Sequence, residues 1–186
     1  MFTVEECNYI LESLTACRKQ YEENGITRYL PTVEENTSVF NLVMSRSQIS
    51  GFYPIIKQGV WCIIHQSDTP LGLHTDGAPR YSHQSLIPLK GDGSTIVFEQ
   101  RWNRDHNLDP VTNKTSNLLN FGDHPFDIDF YNNYLTHIDY ELLSGLTVQS
   151  CYKWKVGDIF NFNHTKIHCS GNLSEPKTGL TILWSI

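Results

Sequence analysis

The amino-acid sequence predicts a mainly β domain, either a barrel or a sandwich, supported by an N-terminal helix. Three observations favour this class. Clear helical periodicity is found at the N-terminus, and at least seven short segments rich in β-branched and aromatic residues follow it. Gly, Pro, Asp and Asn separate these segments, as they do at turns between strands. A length of 186 residues suits one domain, so residues 1–186 are predicted to form a single unit.

The first predicted element is an amphipathic helix from Thr3 to about Glu23. Thr3 and Glu6 have the spacing of a capping box, which satisfies free backbone N–H groups at the start of a helix. Gly25 is typical of a helix end. The apolar side chains recur at steps of three and four and form one stripe: Val4, Cys7, Ile10, Leu11, Leu14 and Cys17. Residues 1–25 are therefore predicted to form a supporting helix that packs on the rest of the domain.

Segments with the composition of strands occupy most of the chain after this helix: "TSVFNLVMS", "GVWCIIHQ", "HQSLIPLK", "STIVFEQRW", "GLTVQSCYKW", "GDIFNFNH" and "TGLTILWSI". In one of them, "DIFNFN" alternates polar with apolar residues, which is the pattern of a half-buried strand. The sequence "GDGS" between Lys90 and Thr95 predicts a tight turn that joins two strands.

Residues from about 101 to 133 have a different character, because they are rich in Asn and Asp and show little periodicity. A surface loop and a lid over a substrate site both fit this composition, since long loops in compact domains are often functional. The sequence "FYNNYLTHIDYELLSGL", which begins in this segment, predicts one short helix before the last strands.

The composition also argues against several classes of function. The net charge is -6 and no basic stripe is visible, so a nucleic-acid partner is not expected. No apolar run approaches the ~20 residues of a membrane helix. The N-terminus "MFTVEECNYI" lacks the basic residues of a signal peptide, and the five cysteines contain no CxxC pair. These features predict a cytoplasmic protein with free thiols.

A candidate metal site begins at "GLHTDG", residues 72–77. Residues two apart in an extended segment point to the same face, so His74 and Asp76 would place an imidazole beside a carboxylate. Gly72 and Gly77 allow the backbone to bend tightly on either side. Taken alone, the triplet fits a polar strand face that binds nothing better than it fits a metal site, because many H-x-D triplets bind no metal.

The second half of the candidate site lies in "GDIFNFNHTKIHCSGN", residues 157–172. A Gly-Asp turn opens a strand, His168 follows that strand, and a Ser-Gly-Asn run comes next. Lys177 then opens the last predicted strand. His164 is an alternative third ligand, but the spacing from Gly157-Asp158 and the Ser-Gly-Asn run favour His168. The other histidines lack ligand spacing and are predicted to be surface or satisfied core residues: His65, His83, His106, His124 and His137.

Together these motifs resemble the Fe(II)- and 2-oxoglutarate-dependent oxygenases, over roughly Gly72 to Ile186. That family's signature is H-x-D, then a second His after a Gly-Asp strand, then Arg or Lys on the next strand. The Gly-Asp turn and the His-x-Ser-Gly-Asn run look most like the prolyl-hydroxylase and phytanoyl-CoA-hydroxylase branches. The resemblance implies a double-stranded β-helix, which is the jelly-roll of cupin-like proteins, with His74, Asp76 and His168 as the catalytic ligands of Fe(II).

The resemblance further implies a dioxygenase that uses O2, converts 2-oxoglutarate to succinate, and hydroxylates a small molecule or a peptide side chain. Two imidazoles and one carboxylate leave coordination positions open for the cosubstrate and O2. Lys177 would pair with the far carboxylate of 2-oxoglutarate as a point charge. Members with an Arg-x-Ser pair have a hydroxyl where this chain has Gly179, and Thr181 on the same strand face would supply it here.

Three further residues are predicted to contact the second substrate: Arg80, Gln84 and Arg101. Arg80 follows the H-x-D turn, Gln84 lies on the next strand, and Arg101 begins the long loop, although each also fits an ordinary solvated or packing role. Two alternatives to the oxygenase remain open, namely a non-catalytic module and a cupin-like metal-binding module that does not use 2-oxoglutarate. Fold alone does not choose between them.

Overall fold

Two antiparallel β-sheets enclose a cavity in the computed structural model, and helices cover the outer faces. The structure describes residues 1–17, 20–23, 26–76, 82–102, 108–112 and 121–186. The helices are α1 Val4–Thr15, α2 Thr37–Ser47, α3 Ile128–Tyr134 and a 3-10 helix at Tyr140–Leu143. The strands are β1 Gln20–Glu23, β2 Ile26–Tyr29, β3 Tyr53–Pro54, β4 Ile63–Ser67, β5 His83–Lys90, β6 Ser94–Arg101, β7 Val148–Lys153, β8 Phe160–Phe162, β9 Lys166–Ser170 and β10 Lys177–Ser185.

The order of the strands confirms the predicted mainly β jelly-roll with an N-terminal helix. The larger sheet has the order β1-β2-β4-β10-β5-β8, with β3 paired to β10, and the smaller sheet has the order β7-β6-β9. Two isolated bridges, Leu73 to Val111 and His74 to His168, extend the smaller sheet beyond β9. The segment "GLHTDG" is therefore extended chain on the edge of that sheet.

Strand β10 shows how the period of two separates a helix-covered face from a cavity face. One set of its residues packs with α1 and α2 in the main apolar core: Leu180, Ile182 and Trp184. The alternate residues line the cavity: Lys177, Thr181 and Leu183. The strand thus places the predicted cosubstrate residues inside the molecule.

The capping box at the start of α1 is present, with the Thr3 backbone N–H donating to Glu6 Oε2 at 2.9 Å and the Glu6 N–H donating to Thr3 Oγ1 at 3.2 Å. The predicted extension of this helix to Glu23 is wrong, because α1 ends at Thr15 and residues 20–23 form β1. The apolar stripe stops at Cys17, and the backbone beyond it pairs instead with β2.

The prediction of a strand at "TSVFNLVMS" is also wrong, since this segment is the helix α2. Val39, Val43 and Ser47 are its buried residues, and their spacing of four places them on one helical face. Contact of this face with the core outweighs the strand preference of the β-branched residues.

The "GDGS" turn between Lys90 and Thr95 is present, but β5 and β6 lie in different sheets. It therefore connects the two layers of the fold and does not close a hairpin. The cysteines predicted to be free are free: Cys7, Cys17, Cys62, Cys151 and Cys169. Among the helices of the described residues, none has both the length and the apolar character needed to cross a membrane.

The segment predicted as a loop or lid at about 101–133 has structure at both ends. Arg101 belongs to β6, residues 108–112 lie beside Leu73, and α3 begins at Ile128. Where one short helix was predicted in "FYNNYLTHIDYELLSGL", the structure has two, α3 and the 3-10 helix. Residues 103–107 and 113–120 lie outside the described residues, so a lid at those positions stays a prediction.

Candidate metal centre

The two sheets enclose a cavity of about 710 Å³, which lies in the range of small-molecule sites. Residues from both sheets and from the 71–76 and 108–110 segments line it. Its walls include the three predicted metal ligands and Lys177, so the structure brings both halves of the predicted site into one space.

His74, Asp76 and His168 meet because their two segments pair with each other. The His74 backbone N–H donates to His168 O at 2.9 Å, and the His168 N–H donates to His74 O at 3.0 Å. This bridge places the imidazoles side by side, with ring centroids 4.1 Å apart. One potential ligand atom from each of the three residues lies within 4.8 Å of the others.

Backbone carbonyls orient both imidazoles. Nδ1 of His74 contacts Gly72 O at 2.8 Å, and Nδ1 of His168 contacts Lys166 O at 2.9 Å. Because a carbonyl only accepts, each Nδ1 carries the proton and donates it. In the neutral rings, Nε2 is then an unprotonated lone pair directed at the centre of the cluster, which is the orientation that metal-binding histidines need.

The charge distribution of the cluster suits a divalent cation. Nε2 of His168 lies 3.1 Å from Asp76 Oδ2, and Nε2 of His74 lies 3.8 Å from Asp76 Oδ1. A lone pair and a carboxylate oxygen at these distances need a cation or a shared proton between them. Burial, followed by the neighbouring His168, lowers the pKa of His74 to about 3, so this ring stays neutral at ordinary pH.

Asp76 is ionised in this setting. Burial by itself would raise the pKa of the Asp76 carboxyl, but the contact with His168, whose Nε2 shares a proton with the carboxylate when no cation lies between them, and the adjacent imidazoles bring it well below its usual range. Two neutral imidazoles and one carboxylate are the donor set of non-haem Fe(II) sites. The alternative ligand His164 is buried but does not belong to this cluster.

Lys177 forms the second chemical feature of the cavity. Its side chain is 2% exposed, its Nζ donates to Ser170 Oγ at 2.9 Å, and it lies 4.3 Å from the centre of the Trp154 ring. Within the described part of the chain, no carboxylate forms an ion pair with it. Burial lowers the pKa of Lys177 to about 8, and Cys169 opposes that change. The cavity therefore contains a buried cation that pairs with no carboxylate of the described residues.

Ser170 connects the lysine with the cluster. It is two residues after His168 on the cavity face of β9, so the two positions are about 7 Å apart along the strand. The predicted hydroxyl donor, Thr181, lines the same cavity, but the hydroxyl that contacts Lys177 is that of Ser170.

Solved structures share this architecture at low sequence identity. An oxidoreductase of the 2OG-Fe(II) oxygenase family from Burkholderia pseudomallei has a TM-score of 0.56 and 12% identity, with 99% of this chain and 79% of that chain covered. The epimerase SnoN, in complex with Fe3+, alpha ketoglutarate and nogalamycin RO, has a TM-score of 0.59 and 9% identity, with coverage of 100% and 75%.

This chain has the fold of the 2-oxoglutarate–Fe(II) oxygenases. No family model matches the sequence, and no curated protein matches it. The likeness is therefore one of structure, and it confirms the fold that the motifs predicted.

Sequence analysis did not predict that His65 belongs to the wall of the cavity in this fold. His65 lies opposite Gly179 in the β4–β10 pair and lines the cavity. An added Cβ at Gly179 would lie 2.8 Å from His65 Nε2, so the imidazole occupies the space that a serine there would need. Burial, followed by the charge of Lys177, lowers the pKa of His65 to about 4. His65 is two residues from Ile63 and from Ser67 on β4, so the period of two places all three on one face of the strand. This spacing was the signal in the sequence that could have predicted the position of His65.

The predicted substrate residues have different locations. Gln84 lines the cavity, is 2% exposed, and its Nε2 lies 3.4 Å from His168 Nε2. Arg101 is exposed at the end of β6, opposite Lys166, and does not line the cavity. Arg80 lies outside the described residues.

Several cavity-lining residues outside the motifs were not predicted, among them Tyr21, Arg28 and Lys57. The Arg28 guanidinium lies 5.5 Å from the centre of the Tyr21 ring. Tyr21 falls in the predicted first helix and Arg28 in a segment without a predicted element, so the sequence does not place the β1–β2 pair at the cavity.

Proposed function

We propose that this chain is an Fe(II)- and 2-oxoglutarate-dependent oxygenase that hydroxylates a small molecule or a peptide side chain. The observation that carries the proposal is the pairing of two features in one cavity. The His74, Asp76 and His168 cluster offers a facial set of metal ligands, and Lys177 offers a buried cation for a carboxylate. 2-Oxoglutarate fits both features, because its 2-oxo acid end can bind a metal and its far carboxylate can pair with the lysine.

The cluster would hold Fe(II) through Nε2 of the two histidines and one oxygen of Asp76. Fe(II) and 2-oxoglutarate supply O2 activation, in a reaction that converts substrate–H, 2-oxoglutarate and O2 to substrate–OH, succinate and CO2. The protein contributes ligands, orientation and exclusion of water. The carbonyls of Gly72 and Lys166 fix the two imidazole rings before any metal binds.

Lys177 would orient the cosubstrate by a charge-assisted hydrogen bond to its far carboxylate. Ser170 provides a hydroxyl at the same end, and Trp154 covers the ammonium group. Phe162 and Leu86 line the cavity between the sheets, and these apolar side chains would limit the access of water to the reacting groups.

The second substrate would occupy the remaining space near β1 and β2. Arg28 and Lys57 line the cavity together with the Tyr21 ring. Their charges favour a substrate with an acidic group, in a chain whose net charge is -6. We therefore expect acidic metabolites and acidic peptides to be the most informative substrates to screen.

The test is succinate formation from 2-oxoglutarate by the purified protein with Fe(II) and ascorbate under air. His74→Ala and Lys177→Ala are the matched inactive variants. The proposal fails if the wild-type protein gives no turnover and also does not bind 2-oxoglutarate with metal in the absence of O2.

The principal alternative is a cupin-like metal-binding module that does not use 2-oxoglutarate. It predicts metal binding that depends on His74 but no effect of Lys177→Ala on any metal-dependent activity. A protein that binds neither metal nor 2-oxoglutarate would instead support a non-catalytic module.

Analysis of the product separates hydroxylation from other outcomes of the same cosubstrate chemistry. SnoN, which shares the fold, is an epimerase, so turnover of 2-oxoglutarate does not by itself establish hydroxylation. Incorporation of 18O from O2 into the second substrate is the expected result. A product with inverted stereochemistry and no added oxygen would indicate epimerisation.

A further inference from the structure

Gln84 is a buried polar residue whose place in the structure the metal ligands and Lys177 do not account for. It is 2% exposed and pairs with Phe162 on one side and Leu183 on the other. Its Oε1 has no hydrogen-bond partner among the described residues. A leucine would fill such an apolar wall without leaving a carbonyl unpaired, so the amide destabilises the fold unless its N–H group serves a ligand.

The contact of its other polar atom points to the same conclusion. Nε2 of Gln84 lies 3.4 Å from Nε2 of His168, and that imidazole nitrogen carries its lone pair toward the cluster because Nδ1 donates to Lys166 O. A metal ion on His168 would take this lone pair at a bond length of about 2.0–2.2 Å. The amide would then have no hydrogen-bond partner among the described residues at either end, and its N–H group would be available to a ligand bound beside His168.

We propose that Gln84 is a positioning residue whose amide N–H donates a hydrogen bond to an oxygen that 2-oxoglutarate places on the metal. This inference rests on the proposed function. It assigns the two ends of the cosubstrate to different sheet positions, the far carboxylate to Lys177 on β10 and the 2-oxo acid end to Gln84 on β5. Both residues lie on the larger sheet, whereas His168 lies on the smaller one.

The test uses Gln84→Leu, which keeps the size of the side chain and removes both polar atoms. In the absence of O2 and with Mn(II) as the metal, isothermal titration should show that 2-oxoglutarate binds about tenfold more weakly than to the wild type. Affinity for Mn(II) alone should stay within about twofold, because Gln84 is not a ligand. In turnover, KM for 2-oxoglutarate should rise by a similar factor.

Gln66→Leu is the matched control, since Gln66 is an exposed glutamine on β4 and the same substitution there should leave 2-oxoglutarate binding unchanged. The thermal midpoint of the metal-free Gln84→Leu protein should be equal to or above that of the wild type. If Gln84 had only a packing role, its replacement would lower the thermal midpoint. Weaker 2-oxoglutarate binding without loss of stability would therefore indicate a role in binding.

Equal affinity of Gln84→Leu and wild type for 2-oxoglutarate would overturn the inference. A parallel loss of Mn(II) affinity would also overturn it, because Gln84 would then act by supporting His168. If the leucine variant does not fold, Gln84→Glu decides, since a carboxylate there must repel the 2-oxo acid and unchanged binding refutes the role. A wild-type protein that fails to bind 2-oxoglutarate would count against the proposed function itself.

Discussion

Replacement of Lys177 by Met should change stability and cosubstrate binding in opposite directions. Methionine has a similar length and no charge, so it can fill the space between Ser170 and Trp154 while it removes the buried ammonium group. If that group is there for a ligand, the variant should be more stable than the wild type and unable to bind 2-oxoglutarate tightly.

The magnitude follows from the pKa of Lys177, which is lowered from 10.5 to about 8. At about 1.36 kcal/mol for each pH unit, burial disfavours the charged form by about 3 kcal/mol. Below pH 8 the lysine is charged in both folded and unfolded chains, so the whole penalty is present at pH 7. As the pH rises from 8 to 10.5 the folded protein loses the proton first, and the penalty disappears. Lys177→Met should therefore raise the free energy of unfolding at pH 7 by up to about 3 kcal/mol, or the thermal midpoint by about 6–12 °C.

Binding should show the complementary loss. A hydrogen bond to a charged group contributes about 1.5–3 kcal/mol, so the dissociation constant for 2-oxoglutarate with Mn(II) should increase about 10- to 150-fold. Wild-type affinity should also fall as the pH rises above 8, where Lys177 becomes neutral, whereas the variant should lack this dependence. Scanning calorimetry and isothermal titration measure the two effects, and Lys90→Met, at an exposed lysine on β5, is the control.

The reasoning fails if Lys177→Met binds 2-oxoglutarate as tightly as the wild type across this pH range. It also fails if the variant is several kcal/mol less stable, because Lys177 would then be a structural residue whose charge the protein already compensates.

Three further predictions concern the same cavity. Asp76→Asn keeps the shape but removes the anionic ligand, so Mn(II) affinity in equilibrium dialysis should fall at least tenfold, and unchanged affinity would argue against a metal centre. Ser170→Ala should weaken 2-oxoglutarate binding while Thr181→Val should not, and the reverse result would assign the hydroxyl to Thr181. Gly179→Ala places a Cβ 2.8 Å from His65 Nε2, so denaturant titration should show a loss of about 1–3 kcal/mol, whereas an unchanged midpoint would mean that the imidazole moves freely.

The parts of the site that sequence predicted are those that local geometry determines. His74 and Asp76 share a face because they are two apart on extended chain, and no knowledge of the sheets is needed for that. The order of His168 and Lys177 behind a Gly-Asp turn is equally a property of the linear sequence. The many short strands predicted a barrel or sandwich, and the jelly-roll was implied by the resemblance of these motifs to the oxygenases.

The parts that sequence could not predict depend on contacts between distant segments. Ser170 has no special spacing to Lys177, and their contact exists because β9 and β10 lie in different sheets that face the same cavity. His65 matters because Gly179 lies opposite it across a strand pair. The composition of α2 predicts a strand because Val39 and Val43 favour strands locally, and only the packing of this segment against the core stabilises the helix.

The division of the site between two sheets has a physical consequence. His74, Asp76 and His168 belong to the smaller sheet and its bridged extension, whereas Lys177 and Gln84 belong to the larger sheet. A ligand that contacts both sets crosses the interior and links the two sheets. Because such a ligand binds the folded protein and not the unfolded chain, metal and 2-oxoglutarate together should stabilise the fold more than metal alone. If 2-oxoglutarate raises the thermal midpoint of the metal-loaded Lys177→Met protein as much as that of the wild type, the cosubstrate does not link the two sheets through Lys177.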